Sequence, residues 1–131
     1  MYLLDTNICI YLIKGNPIVS NQLNKFSTNI VGISTISVAG LEFGIHKSAL
    51  KKKNRKALEK FLRPFEIFSF SESAAFHYGI IRANLEKKGK IIGANDMLIA
   101  AQALELNRTL VTNNEKEFNR IPNLKIENWT K

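Results

Sequence analysis

The chain has only two aspartates, Asp5 and Asp96, and each falls where a carboxylate can do chemistry. Asp5 ends the apolar run Met1-Tyr2-Leu3-Leu4, which is too short to be anything but a buried strand. An apolar helical pattern (Ile8, Ile10, Tyr11, Leu12, Ile13) follows at once. Asp5 is thus placed at a strand's carboxyl end, the edge at which open α/β sheets bind ligands. Two readings are open for it: a metal-binding or catalytic carboxylate, and a helix N-cap that accepts from the first free N–H groups. Asp96 opens the helical pattern Met97 to Leu106, where the dipole favours an anion, so it also fits the role of an ordinary first-turn acid. Asn113, Asn114 and Glu117 follow the short apolar segment Thr109 to Thr112, and Asn114 and Glu117 have the spacing of a capping box.

If the strands before Asp5 and Asn113 are parallel neighbours, these groups meet at one sheet edge. Carboxylates gathered without bases repel one another, and the arrangement is tolerable only with protons or a cation between them. Oxygen ligands without His or Cys point to a hard ion, Mg²⁺ or Mn²⁺. Such an ion lowers the pKa of bound water and neutralises charge building on a phosphodiester, so hydrolysis of a nucleic acid is the chemistry that follows. His46 and His77 stand alone in helical segments, and Cys9 sits among apolar residues as a small core side chain.

The charge distribution agrees with a polyanionic partner. Lys and Arg number 19 against 11 acids, a net +8. Between Lys47 and Arg63 eight cations face one acid, Glu59. Lys51, Lys52, Lys53 and Arg55 are the candidate RNA contacts within this block, since phosphate contacts release counterions and steer association. The competing reading is a solvated helix face.

The elements that must position these groups alternate. Strands are predicted at 1–4, 30–34, 65–70, 109–112 and 124–127. Helices are predicted after Asp5, from Pro17 behind an Asn16 cap, over 35–48 with Ile36, Ala39 and Phe43 inward, and through the basic block to Leu62. Two more run from a Ser71 cap to Lys88, with Ala75, Tyr78, Ile80, Ile81 and Leu85 inward, and from Met97 to Leu106. Alternation of this kind implies one α/β domain over residues 1–131, with a parallel sheet covered on both faces. No apolar run is long enough to span a membrane and no basic, signal-like start is present, so the chain is expected in the cytoplasm.

Three stretches carry a family resemblance: Leu3-Leu4-Asp5-Thr6-Asn7-Ile8-Cys9-Ile10-Tyr11-Leu12-Ile13, Ile92-Gly93-Ala94-Asn95-Asp96-Met97-Leu98-Ile99-Ala100-Ala101, and Leu110-Val111-Thr112-Asn113-Asn114 with Glu117-Phe118 and Glu127-Asn128-Trp129. Together, in this order and from end to end, they resemble the PIN-domain ribonuclease toxins of VapBC toxin–antitoxin pairs. The resemblance implies a PIN-like α/β/α sandwich, a Mg²⁺- or Mn²⁺-dependent endoribonuclease acting on structured RNA, transfer RNA especially, a homodimer, and inhibition by a VapB-type antitoxin. It puts Asp5 and Asp96 at metal-ligand positions and Glu117 at the acidic position after the fourth strand. One position departs. The family's Ala-Glu-Leu-x-x-Gly reads Ala39-Gly40-Leu41-Glu42-Phe43-Gly44 here, so Gly40 stands in the place of a catalytic glutamate. Glu42 is two helical steps away, a rotation of about 200°, and is expected to face solvent or nearby lysines.

Two other readings remain at this stage. A PIN fold that binds RNA and antitoxin without cutting is compatible with Gly40. A phosphate-transfer domain using Asp5 as nucleophile would want a second Asp two residues on, where Asn7 stands.

Overall fold

Five short strands, all parallel, carry the alternation into three dimensions in the computed structural model, which describes residues 1–131. The strands are β1 (Tyr2–Leu4), β2 (Val31–Ser34), β3 (Glu66–Phe68), β4 (Thr109–Val111) and β5 (Ile126–Glu127). The helices are α1 (Thr6–Ile13), α2 (Pro17–Leu23), α3 (Thr35–Lys47), α4 (Lys51–Leu62), α5 (Glu72–Lys87), α6 (Ala94–Glu105) and α7 (Glu115–Phe118), and a single 3-10 turn covers Thr28–Ile30. No helix is long and apolar enough to cross a membrane.

The sheet order is β3-β2-β1-β4-β5. From β1 the chain winds outward to β2 and β3, then returns and winds the other way through β4 and β5. The order therefore reverses between β1 and β4, and at such a switch point the connections leave a crevice beyond the strands' carboxyl ends. Asp5 follows β1 there, with its N–H on the Val111 carbonyl at 3.0 Å, and Thr112 follows β4.

Alternate strand residues feed opposite cores, as the pleat requires. Leu3 and Leu110 join Ile81, Leu85, Met97, Ile99 and Phe118 under α5, α6 and α7. Leu4 and Val111, with Val31 and Ile33, join Ile8, Val19, Leu41 and Leu58 on the side of α1 to α4. The result is the expected α/β/α sandwich. In α6, Met97, Ile99, Ala100, Ala101, Gln102 and Ala103 are all buried, so the helix bearing Asp96 is fixed along its length. The Gln102 amide donates to the Phe68 and Ser69 carbonyls, tying α6 to the end of β3.

Local signals explain most boundaries. Asn16 accepts from the Ile18 and Val19 N–H groups ahead of Pro17, and Ser71 accepts from Ala74 N–H. Asn107 adopts φ +53° just past α6, the left-handed stop that Asn tolerates. Gly32 is required by a close approach: a Cβ there would lie 2.4 Å from the Phe68 ring, which is itself covered by the Arg108 guanidinium.

The inner faces of two helices differ from expectation. On α3 the buried residues are Ser37, Leu41 and Ile45, while Ala39 and Phe43 are exposed. On α5 they are Ala74, Ile81 and Leu85, while Ala75 and Ile80 face outward. Both helices carry apolar residues around much of their circumference, which blurs the periodic signal. Helix α2 stops at Leu23, short of Phe26, whose ring instead packs with Tyr2 and Trp129 at centroid distances of 4.8 and 5.6 Å. Strands β3 and β5 are shorter than the apolar runs that contain them, as edge strands often are.

Candidate active site

Asp5 is the N-cap of α1, one of the two roles that its sequence position left open. Its Oδ1 accepts the Ile8 N–H at 3.0 Å and so caps α1. Its Oδ2 accepts the Thr112 hydroxyl at 2.5 Å. The side chain is only 4% exposed, and burial pushes its pKa up against the lowering effect of the Thr112, Ile8 and Asn7 hydrogen bonds. Thr112 also accepts the Asn114 N–H at 3.0 Å, which orients the hydroxyl toward the carboxylate.

Asp96 stands in the first turn of α6 with its Oδ2 3.4 Å from where a Gly93 Cβ would lie. Burial raises its pKa, and the charges of Asp5 and Glu117 raise it further. Asp96 thus stands within reach of the charges of both Asp5 and Glu117. None of the three takes part in an ion pair. Glu117 accepts the Asn114 side-chain amide at 3.0 Å. That contact replaces the expected capping box, because Asn114 makes no side-chain cap to α7. Asn113 donates to the Tyr11 hydroxyl at 3.1 Å, linking β4's end to α1.

No group of three His, Cys, Asp or Glu side chains is gathered closely enough to hold an ion unaided. The acids are neighbours rather than a closed ligand set. Their chemistry still fits a hard divalent cation: the donors are all oxygen, two of them have raised pKa values, and no cationic side chain pairs with any of them.

Position 40 faces Thr6, the residue that follows Asp5. A Cβ on Gly40 would sit 3.3 Å from the Thr6 methyl, next in chain to Asp5, and the Thr6 hydroxyl donates to Ser37 on the same helix at 3.2 Å. Glu42 points elsewhere. Its two carboxylate oxygens take both terminal nitrogens of Arg55, with His46 Nε2 3.7 Å away. Arg55 holds the Glu42 carboxyl below its usual range, so this acid is a charged partner of α4 and remote in role from Asp5. The same pair engages one of the four cations taken as RNA contacts, whereas Lys51, Lys52 and Lys53 are exposed and make no ion pair. Cys9 is buried, and burial together with Asp5 pushes its thiol up, which excludes a nucleophilic role.

The PIN domain family matches residues 2–124. The chain is 50% identical to ribonuclease VapC2 of Rickettsia felis over an alignment that takes in 100% of this chain and 99% of the relative. The chain belongs to the VapC ribonucleases of the PIN domain family. The VapC fold is matched as closely in space: a crystal structure of VapBC2 from Rickettsia felis bound to a promoter DNA fragment superposes with a TM-score of 0.93 at 49% identity, covering 98% of each chain. A second relative, the tRNA(fMet)-specific endonuclease VapC of Salmonella typhimurium, is 38% identical over 98% of this chain and 97% of its own length. As a VapC toxin of a type II toxin–antitoxin system, the chain is a metal-dependent phosphodiester hydrolase by class.

Thr112 was not visible as a site residue in the sequence, where it reads as the end of a strand. Its only available signal was its place immediately before Asn113 and Asn114, on the segment whose end must lie beside Asp5.

Proposed function

We propose that this VapC chain is an endoribonuclease that cleaves structured RNA, transfer RNA in particular, at a Mg²⁺ or Mn²⁺ site formed by Asp5 and Asp96 with Glu117. Its toxicity is held in check by a VapB-type antitoxin, and it works as a homodimer. The observation that carries the reading is the unpaired acid cluster at the β1/β4 switch point: Asp5 and Asp96, both with raised pKa values, beside Glu117 and without a cationic partner. The transfer RNA specificity named for the Salmonella typhimurium relative supports the substrate class. The VapBC complexes solved from Rickettsia felis and Salmonella typhimurium support the antitoxin.

Within that reading, Thr112 and the Ile8 N–H fix the two oxygens of Asp5, leaving its remaining lone pairs for a ligand. Asp96 is held by a buried helix, and Asn114 steadies Glu117. A divalent ion held there by Asp5 and Asp96 with Glu117 would supply a water acidified for attack and would neutralise charge on the phosphodiester. The exposed Lys51, Lys52 and Lys53 attract the RNA backbone. Gly40 leaves the cluster one carboxylate short on the α3 side, so cleavage is weak. A non-cutting PIN fold that still binds RNA and antitoxin is the second reading, and Gly40 is the observation that favours it.

The test is cleavage of unfractionated transfer RNA with Mg²⁺ or Mn²⁺, with and without chelator, by the parent chain and by Asp5→Asn. Slow cleavage, abolished by chelator and by the substitution, supports the enzyme. Binding without any metal-dependent cleavage would turn the choice to the second reading.

A further inference from the structure

A second cationic surface lies on the opposite face of the sheet from the Lys51–Lys53 segment. Leu85, Lys88, Lys90, Lys116, Asn119 and Arg120 line a hollow of about 320 Å³ between the end of α5 and α7. No acid lines it, and none of its four cations is in an ion pair. Lys88, Lys90 and Lys116 are exposed. Of the two acids that flank Lys116 in sequence, Glu115 is occupied by Lys131 at 2.9 Å and by the Asn128 amide, and Glu117 accepts the Asn114 side-chain amide; neither forms an ion pair with Lys116.

Both walls of the hollow lead directly to the acid cluster. Lys90 begins the segment that runs through Ile92 and Gly93 into Asp96, and Lys116 precedes Glu117. Arg120 binds the walls together by donating to the Ile91 carbonyl at 3.3 Å. Four like charges facing one concavity without counter-charges repel each other, and an anion relieves that repulsion. The block on α4 lacks this convergence. Arg55 is paired with Glu42, and the three lysines there flank a turn with Ala49 and Leu50.

We propose that the Lys88–Lys90–Lys116–Arg120 hollow is an RNA phosphate-binding subsite that holds the backbone a short distance along the strand from the acid cluster. This inference rests on the chain acting on RNA, as proposed above. Its ligand is a backbone phosphate group, recognised by charge and by the free guanidinium N–H groups of Arg120 without reference to base.

The test uses the full chain carrying Asp5→Asn, so that RNA is not consumed, and fluorescently labelled unfractionated transfer RNA as the probe. Anisotropy titrations over a range of salt concentrations compare this parent with a triple Lys88→Ala, Lys90→Ala, Lys116→Ala and with a triple Lys51→Ala, Lys52→Ala, Lys53→Ala. Arg120 is left in place because it also ties two segments together. The hollow triple is expected to bind about tenfold or more weakly near 0.1 M salt, with the slope of log K against log salt reduced by roughly 2 to 3, since each lost phosphate contact removes about 0.7–0.9. The α4 triple loses less. A Lys-to-Arg triple at the hollow keeps both affinity and slope, which separates lost charge from lost folding. Affinity and slope equal to the parent's in the hollow alanine triple would overturn the subsite. Retained RNA binding with lost binding of a VapB-type antitoxin would overturn it too, by assigning the hollow to an acidic protein. A parent that binds no RNA at all at low salt would instead overturn the proposed function along with it.

Discussion

Thr112 and Asp5, 107 residues apart in sequence, share the shortest hydrogen bond in the buried part of the site: the threonine hydroxyl donates to Oδ2 at 2.5 Å. Burial raises the Asp5 pKa, and this bond is the strongest influence working the other way. Thr112→Val keeps the shape and removes the donor. It should cost about 1.5–3 kcal/mol of stability, the range for a hydrogen bond to a charged group. It should also lower metal affinity and RNA cleavage by roughly 10–100-fold, the usual effect of losing a partner that orients a ligand. Thr112→Ser should restore most of both. Thermal unfolding and metal titration of the two variants check it, and a valine variant with parental metal affinity would remove Thr112 from the site.

The acid cluster makes metal-free protein sensitive to pH. The pKa of Asp96 is raised by burial first and by Asp5 and Glu117 next, from an ordinary 3.8. The folded chain therefore holds this proton more tightly than the unfolded chain does. The stabilisation is fully present below pH 3.8 and is lost as pH rises through the elevated folded value. In chelator, Asp96→Asn should melt above the parent at pH 7, with the gap attributable to this residue closing as pH falls toward 3.8. Added Mg²⁺ or Mn²⁺ should reverse the ranking, since an ion that binds only the folded parent stabilises it by about 2.7 kcal/mol at a hundred times its Kd. Equal melting temperatures in chelator across the pH range would show that neither burial nor the neighbouring acids penalise a charged Asp96.

Helix α7 is four residues long and depends on its anchor. Phe118, 1% exposed, fixes it in the core next to Glu117. Phe118→Ala should cost about 3–5 kcal/mol in chemical denaturation, the range for truncating a buried aromatic. It should weaken cleavage as well, because Glu117 loses its platform. A loss under 1 kcal/mol would mean that α7 collapses into the cavity without strain.

The placement of Asp5 at the end of a strand and of Asp96 in the first turn of a helix was legible in the sequence, because both follow from short-range rules, whereas Glu117 was singled out only through the family resemblance. The parallel sheet followed from alternation. The contacts that finish the site were not legible. Thr112 meets Asp5 only once β4 lies beside β1, a pairing that no local pattern announces. Ser37 is buried on α3 because its hydroxyl accepts from Thr6, so a count of apolar residues passed over it in favour of Phe43, which is 65% exposed. Asn114 and Glu117 have capping-box spacing but pair side chain to side chain, since Thr112 already takes the Asn114 N–H. For Thr112 and Ser37 the deciding partner is distant in sequence, and for Asn114 it is a competing neighbour two residues back.

Substitutions at Gly40 and Glu42 test which α3 position bears on activity. Glycine within a helix costs about 1 kcal/mol relative to alanine, and Gly40 is not at positive φ, so conformation does not account for it. A Cβ there would press on the Thr6 methyl at 3.3 Å, a contact that yields with a few tenths of an ångström of movement. A glutamate at position 40 would grow from a point beside Thr6, next in chain to Asp5, and could add a carboxylate to the acids there. Gly40→Glu should therefore raise metal affinity and metal-dependent RNA cleavage by about 10²-fold or more, as expected when a charge-stabilising group is restored to an active site. It should also make expression without antitoxin toxic. Glu42→Gln, by contrast, breaks a solvent-screened ion pair at the α3–α4 surface and should leave both stability and cleavage nearly unchanged. The two variants are assayed beside the parent on the same transfer RNA. Strong parental activity that Gly40→Glu fails to increase and Glu42→Gln destroys would mean that Glu42 leaves Arg55 to serve as the ligand, and that Gly40 costs the enzyme nothing.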